Sequence, residues 1–291
     1  MTDPSLGRKN RKITDTASLQ GIDNESTESD KKWRLVQEIA SQPLKMRHLN
    51  GADLSDTNLS DTNLSSADLS SADLRDANLS SADLSDTNLS SANLRHTNLS
   101  YANLIGANLS HTDLNHANLS GANINEKTQI DSKWRLVWEI VNQGAKGRDL
   151  NNAGLSHANL SNANLIGANL IGANLIGANL IGGNLIGVNL TDAQLMLANL
   201  MLTNLTDADL SGANLILANL TDANLGGANL SGTNLSGANL SGTNLSGANL
   251  SGTIVMNAFF VESKGLTEDM KRDLEQRGAF LAIAPPVVSP K

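Results

Sequence analysis

The chain has 291 residues, a formal net charge of −8, 2% aromatic residues and no cysteine. So few aromatics exclude an ordinary globular core, and the absence of cysteine excludes disulfides and thiol-based metal or redox chemistry. The acidic balance argues against direct nucleic-acid binding, which calls for a basic patch. The charge is unevenly placed: +2 over residues 1–50, −7 over 51–124, +1 over 125–149, −4 over 150–255 and 0 over 256–291.

Residues 1–30 are polar and charged and read as a disordered N-terminal segment. Residues 31–48 read as a capping helix and lead-in, with the helix over 31–42. Asp30 stands at its N-cap, Trp33, Val36 and Ile39 form its apolar stripe, and Pro43 ends it. From Leu49 to Ile124 a frame of five residues then repeats sixteen times: a small residue, Asn or Asp, Leu, and two small polar residues, as in "ADLSDTNLSD". A period of five matches neither a helix nor a long flat strand. It suits a chain that runs extended, turns and runs again, with Leu and the Ala or Thr two before it inward. The Asn or Asp between them is expected outward, in a turn, bonding its own nearby backbone and tolerating unusual φ.

Residues 125–149 break the frame, since Ile124 and Leu150 are 26 apart. This segment repeats the start of the first block: Lys32 aligns with Lys133 and Leu49 with Leu150, both at an offset of 101, as after a tandem duplication. A helix is expected over 132–143, with Asp131 as N-cap, Trp134, Val137 and Val141 as its apolar stripe and Gly144 as its stop. It either caps a stack, lodges between two stacks, or loops out beside one continuous stack. The second block covers 150–262, with twenty-one central positions from Leu150 to Leu250. Ala258, Phe259 and Phe260 are expected to close its last coil with bulk. Residues 263–291 read as a capping helix, with Thr267 as N-cap and Gly278 as stop, and a tail.

The frame resembles the pentapeptide-repeat family, whose motif is A(D/N)LXX, and specifically the helix-plus-repeat proteins of photosynthetic prokaryotes. The resemblance implies an all-β solenoid: a right-handed quadrilateral β-helix in two repeat blocks, with short α-helices as caps and as the inter-block insert. Four repeats per coil imply a coil-to-coil period of twenty residues and a spacing of about 4.8 Å.

No nucleophile–base pair, phosphate loop, dinucleotide fingerprint or HExxH motif is present, so the chain reads as a non-enzyme without a cofactor. Applying the twenty-residue period places Asp56, Asp76, His96 and His116 in one column. Asp76, His96 and His116 are candidate metal ligands there, the alternative being a surface ladder. His48, His111 and His157 fall elsewhere. In the second block the usual Ser after the central Leu becomes apolar. Ile176, Met196, Leu197, Ile216 and Leu217 share one face, and Ile181, Met201 and Leu202 lie on the next, a candidate binding surface for a protein partner or for self-association.

The acidic first block offers another reading. Some members of the family resemble duplex DNA in charge and shape and bind type II topoisomerases, and Asp53, Asp56, Asp61, Asp68, Asp73, Asp76, Asp83 and Asp86 could supply such a surface. The nearly neutral second block and the inserted helix depart from that pattern. The expectation is a cytoplasmic, non-enzymatic structural or protein-interaction module, with no membrane span.

Overall fold

The computed structural model describes Lys32, Arg34 and residues 49–282. The expected segment 1–30, most of the expected helix at 31–42 and the tail from residue 283 lie outside the described residues. The central leucines are inward: Leu54, Leu74, Leu94, Leu160, Leu180 and Leu200 are fully buried, as are the small residues two before many of them, such as Ala72 and Ala178. Where that small residue is threonine, its hydroxyl donates to a leucine carbonyl, as Thr97 Oγ1 does to Leu74 O at 2.7 Å and Thr203 Oγ1 to Leu180 O at 3.2 Å. A buried hydroxyl is thereby satisfied inside a leucine column.

Within each block the Asn or Asp before the central leucine pairs in parallel with the residue twenty positions on, from Asp53↔Asp73 to Asn103↔Asn123 and from Asp149↔Asn169 to Asn244↔Lys264, except that Asn108 pairs with Gln129. Four repeats therefore close one coil. The ladder consists mostly of single-residue bridges; among the described residues only β1 (Asn108–Leu109) and β2 (Gln129–Ile130) extend to two residues. The reason is geometric, because each side of the quadrilateral is only about one extended residue long before the chain turns.

The turn residue differs from the sequence-based expectation. The Asn or Asp before leucine is extended, and its Oδ1 accepts the N–H two residues on, as Asn78 does from Ser80 at 3.1 Å. The left-handed backbone falls instead two residues after the leucine, at Asp56 (φ 58°), His96 (φ 58°), Leu197 (φ 59°) and their equivalents. The amide side chains also climb the stack: Asn98 Nδ2 donates to Asn78 Oδ1 at 3.1 Å, and Asn118 Nδ2 to Asn98 Oδ1 at 3.2 Å.

The inserted helix α1 spans Ser132–Gln143. Asp131 is its N-cap residue by backbone position, but its side chain makes no capping hydrogen bond. The buried stripe is Trp134, Val137 and Ile140, so Ile140 takes the place expected for Val141. The helix covers the last coil of the first block: Trp138 Nε1 donates to Ala122 O at 2.6 Å and Asn142 Nδ2 to Leu119 O at 3.1 Å. Ala122 O has no following coil to pair with and takes its donor from the helix, while Leu119 O also accepts from Ala122 N at 3.1 Å within its own turn. Glu139 holds Arg148, at the start of the second block, at 2.8 Å.

The two blocks also meet directly. His116 N donates to His157 O at 2.8 Å, across 41 residues. The buried residues of both blocks and of α1 form one continuous apolar cluster. At the far end Phe260 is buried, whereas Phe259 is outward, 42% exposed, with its ring 5.2 Å from that of Phe280. Phe259 occupies the Asn position of the frame, so it does not close the coil from within. Helix α2 (Glu268–Gln276) packs Leu274 onto that end, and the Thr267 side chain accepts from Met270 N as its N-cap. Among the described residues no helix is long and apolar enough to cross a membrane.

Candidate interaction surface

Every coil has four corners, each formed by a residue with positive φ, and the backbone ladder shows which corners align. His157 N donates to Ile176 O, Gly177 N to Met196 O, Leu197 N to Ile216 O, and Leu217 N to Ser236 O. Ile176, Met196, Leu197, Ile216 and Leu217 therefore share one edge of the rod. Gly182 N donates to Met201 O and Leu202 N to Thr221 O, which places Ile181, Met201 and Leu202 on the neighbouring edge.

The two apolar positions of each corner differ. Ile176, Ile181, Met196, Met201 and Ile216 are half-buried, because the residue directly after the central leucine lies along the coil against its equivalents. The residue after it projects: Leu197, Leu202 and Leu217 are 57–58% exposed. Their φ values are 57–60°. Most other corners place Gly, Asp, Asn, Ser or His there, with Tyr101 and Glu262 the further exceptions among the described residues. Glycine meets no steric penalty, and short polar side chains bond locally, whereas leucine pays about 1 kcal/mol or more for left-handed backbone. Three leucines thus accept both solvent exposure and backbone strain.

The same edge continues into the first block. His96 and His116 stack with ring centroids 4.8 Å apart and planes 7° from parallel. His157 completes the series, edge-on to His116 at 5.4 Å. His157 was not expected in this column. The twenty-residue rule fails across α1, where the step is 41 residues, and no spacing within the repeats reveals that number. Parallel rings direct their nitrogens side by side rather than toward a common point. Asp76, His96 and His116 share the column but do not gather: among the described residues, no three His, Asp or Glu side chains are arranged to hold a metal ion.

Burial, together with the nearby His96, His157 and Arg95, lowers the His116 pKa below its ordinary value, with Asp113 opposing. Lys133, itself shifted down by burial, also faces Asp113. A histidine depressed in the fold contributes stability that is complete above its unfolded pKa of about 6.5 and is lost as pH falls through the folded value. Thermal melts should therefore show a drop in melting temperature between pH 7 and pH 5 that His116→Asn reduces. Asn occupies the same left-handed position at Asn152 and Asn162. An unchanged pH dependence in that variant would assign the drop to other groups.

The acidic residues of the first block are partly neutralised. Asp73 pairs with Arg75 at 2.5 Å and Asp113 with Arg95 at 3.6 Å, while Asp53 lies 3.0 Å from Lys32. Asp56 and Asp76 remain in the column that leads to His96, one coil apart, with Asp56 N donating to Arg75 O and Asp76 N to Arg95 O.

Comparison with known proteins agrees with this architecture. The sequence profile described as "Pentapeptide repeats" matches in 8 copies, over residues 48–86, 87–125, 153–192, 184–215, 198–237 and 218–255. The chain is similar to HetL of the cyanobacterium Nostoc sp. strain PCC 7120, a pentapeptide repeat protein involved in heterocyst differentiation regulation. The identity is 31% over 73% of this chain and 84% of that one, with a TM-score of 0.35. It is similar to Rfr23 of Cyanothece 51142 at 43% identity over 33% of this chain and 61% of that one, TM-score 0.25. It is also similar to alr5209 of Nostoc PCC 7120 at 34% identity over 34% of this chain and 83% of that one, TM-score 0.23. No curated protein matches the chain. With more than half of its residues matched by the repeat profile and four repeats closing each coil, the chain belongs to the pentapeptide-repeat family, a non-catalytic repeat module with the right-handed quadrilateral β-helical fold.

Proposed function

We propose that this protein is a protein-interaction module that docks a partner on the apolar edge of its second block. The observation that carries the reading is the set of three leucines, Leu197, Leu202 and Leu217, exposed and left-handed together. Neither property helps the rod fold. Glycine at these positions would relieve the strain and remove apolar surface from water, so the leucines serve a contact outside the chain. The half-buried Ile176, Ile181, Met196, Met201 and Ile216 widen the patch around them. The same backbone is a rigid scaffold, because each coil is tied to the next by the ladder.

The test separates binding from folding. In Leu197→Gly/Leu202→Gly/Leu217→Gly, the melting temperature should stay level or rise by a few degrees, since about 1 kcal/mol of strain is relieved at each site. The wild-type protein, used as bait in a native lysate, should retain a polypeptide (its own untagged copy included) that the triple variant loses. Equal retention by both baits would remove the leucines from the interaction.

A further inference from the structure

We infer that the occupant of this edge is a second copy of the chain, laid antiparallel with a two-fold axis at the level of Met196. The inference rests on reading the edge as a docking surface, and it names the partner. The positions directly after the central leucines run Ser156, Ile176, Met196, Ile216, Ser236, one coil apart along the rod. That order is the same in both directions. A two-fold axis across the rod reverses the order of the rungs and keeps each ladder facing its own copy. Met196 then meets Met196 of the partner subunit, Ile176 meets Ile216 of the partner subunit, and serine hydroxyls lie at both ends. A self-complementary patch closes a dimer, whereas a head-to-tail contact would leave one surface open and propagate.

Charge points the same way. The chain carries a net −8, and like-charged surfaces resist contact. Along this edge, from Ser156 to Asn257, no Asp, Glu, Lys or Arg occupies the two corner positions. The nearest acids, Asp192 and Asp222, sit on the two flanking corners, since Gly172 N donates to Thr191 O and Leu202 N to Thr221 O. A basic partner would find no acidic group on the patch itself, while a second acidic copy can approach there and nowhere else in the block as easily.

The area is sufficient. Counted over this edge and the neighbouring one that carries Leu202, three leucines exposing roughly 100 Å² each, with the half-buried Ile and Met adding tens of Å² apiece, present about 400–500 Å² of apolar surface. A standard interface buries about 800 Å² per partner, of which about 56–65% is apolar, a matching amount.

The experiment is the mass of the full-length protein in solution by sedimentation equilibrium, from about 1 to about 100 μM. Expected is a concentration-dependent shift from 30.6 kDa to twice that mass, strengthened by salt because Asp192 and Asp222 flank the patch. Ile176→Ser/Met196→Ser/Ile216→Ser should be monomeric with an unchanged melt, since serine is the native residue at Ser156 and Ser236 of the same ladder. The absence of native cysteine makes orientation testable. Oxidation should cross-link Met196→Cys to itself. Ser236→Cys should not cross-link to itself, because the two copies of that position lie about 19 Å apart, four rungs of the strand spacing, but it should cross-link to Ser156→Cys.

A wild-type chain that stays monomeric at 100 μM, a dimer that survives the triple serine substitution, or self-cross-linking of Ser236→Cys as fast as that of Met196→Cys would each overturn the inference. The docking reading fails separately. If the chain is monomeric but the leucine-dependent pull-down retains a different protein, only the second copy is excluded. If it is monomeric and nothing is retained, both readings fall.

Discussion

Leu180→Lys is expected to unfold the second block. Leu180 is fully buried, and its backbone is tied on both sides, with its N–H donating to Asn199 O at 2.7 Å and its carbonyl accepting from Thr203 Oγ1 and Gly183 N. The side chain has no route to solvent that leaves the coil intact. Removing the leucine alone forfeits about 2–5 kcal/mol, and an unpaired ammonium in the apolar column adds several more. The sum is comparable to the entire stability of an ordinary domain, about 5–15 kcal/mol. Because a solenoid is stabilised through neighbouring coils, the damage should spread along the block. Circular dichroism at 25 °C should show the β-signal reduced by roughly the share of the second block. A wild-type spectrum and melt would contradict the inward assignment of the central position.

Trp134→Ala is the second large effect, expected to destabilise the protein by about 3–5 kcal/mol. Trp134 is 6% exposed and belongs to the stripe of α1 that joins the two blocks into one core. Loss of the indole leaves a cavity at the junction where, among the described residues, the ladder between the blocks is interrupted. The expected signature is a wild-type unfolding transition that separates into two in urea as the blocks uncouple, with the first block losing its cover. Trp138→Phe is the control. It removes the hydrogen bond to Ala122 O but keeps most of the apolar ring, so a cost of only about 1 kcal/mol and a single transition are expected. A Trp134→Ala variant that unfolds in one transition at the wild-type midpoint would show that α1 is an ornament beside the stack.

The two substitutions also mark the boundary between what the repeat states and what it leaves open. Within a block, the five-residue frame was enough to assign Leu180 inward, to set the twenty-residue coil and to bring Ile176, Met196 and Ile216 onto one edge, because identical units can stack in only one register. The frame did not reveal which residue of each unit is left-handed. Asn and Asp are common before the leucine and suit turns, yet the backbone places them in the ladder and gives the positive φ to the residue two after the leucine, where mostly Gly, Asp, Asn, Ser and His stand. The strain at Leu197, Leu202 and Leu217 was therefore invisible until the backbone was in view.

Across residues 125–149 the frame has no authority, since a helix has no stacking partner of its own kind. The choice among cap, wedge and outlying loop depended on where Trp134, Val137 and Ile140 found apolar cover, a matter of packing between distant segments. The step of 41 residues that carries His116 to His157 follows from that packing. It moved His157 into the column, while the parallel stacking of His96 on His116 kept the candidate metal ligands from converging. By itself, then, the sequence determined the family, the coil and the apolar edge, through a short-range period that copies one local solution. Tertiary structure alone decided the junction and the geometry of the imidazoles, which depend on contacts between residues that no repeat relates, and the strained corners, whose backbone angles the residue pattern does not state.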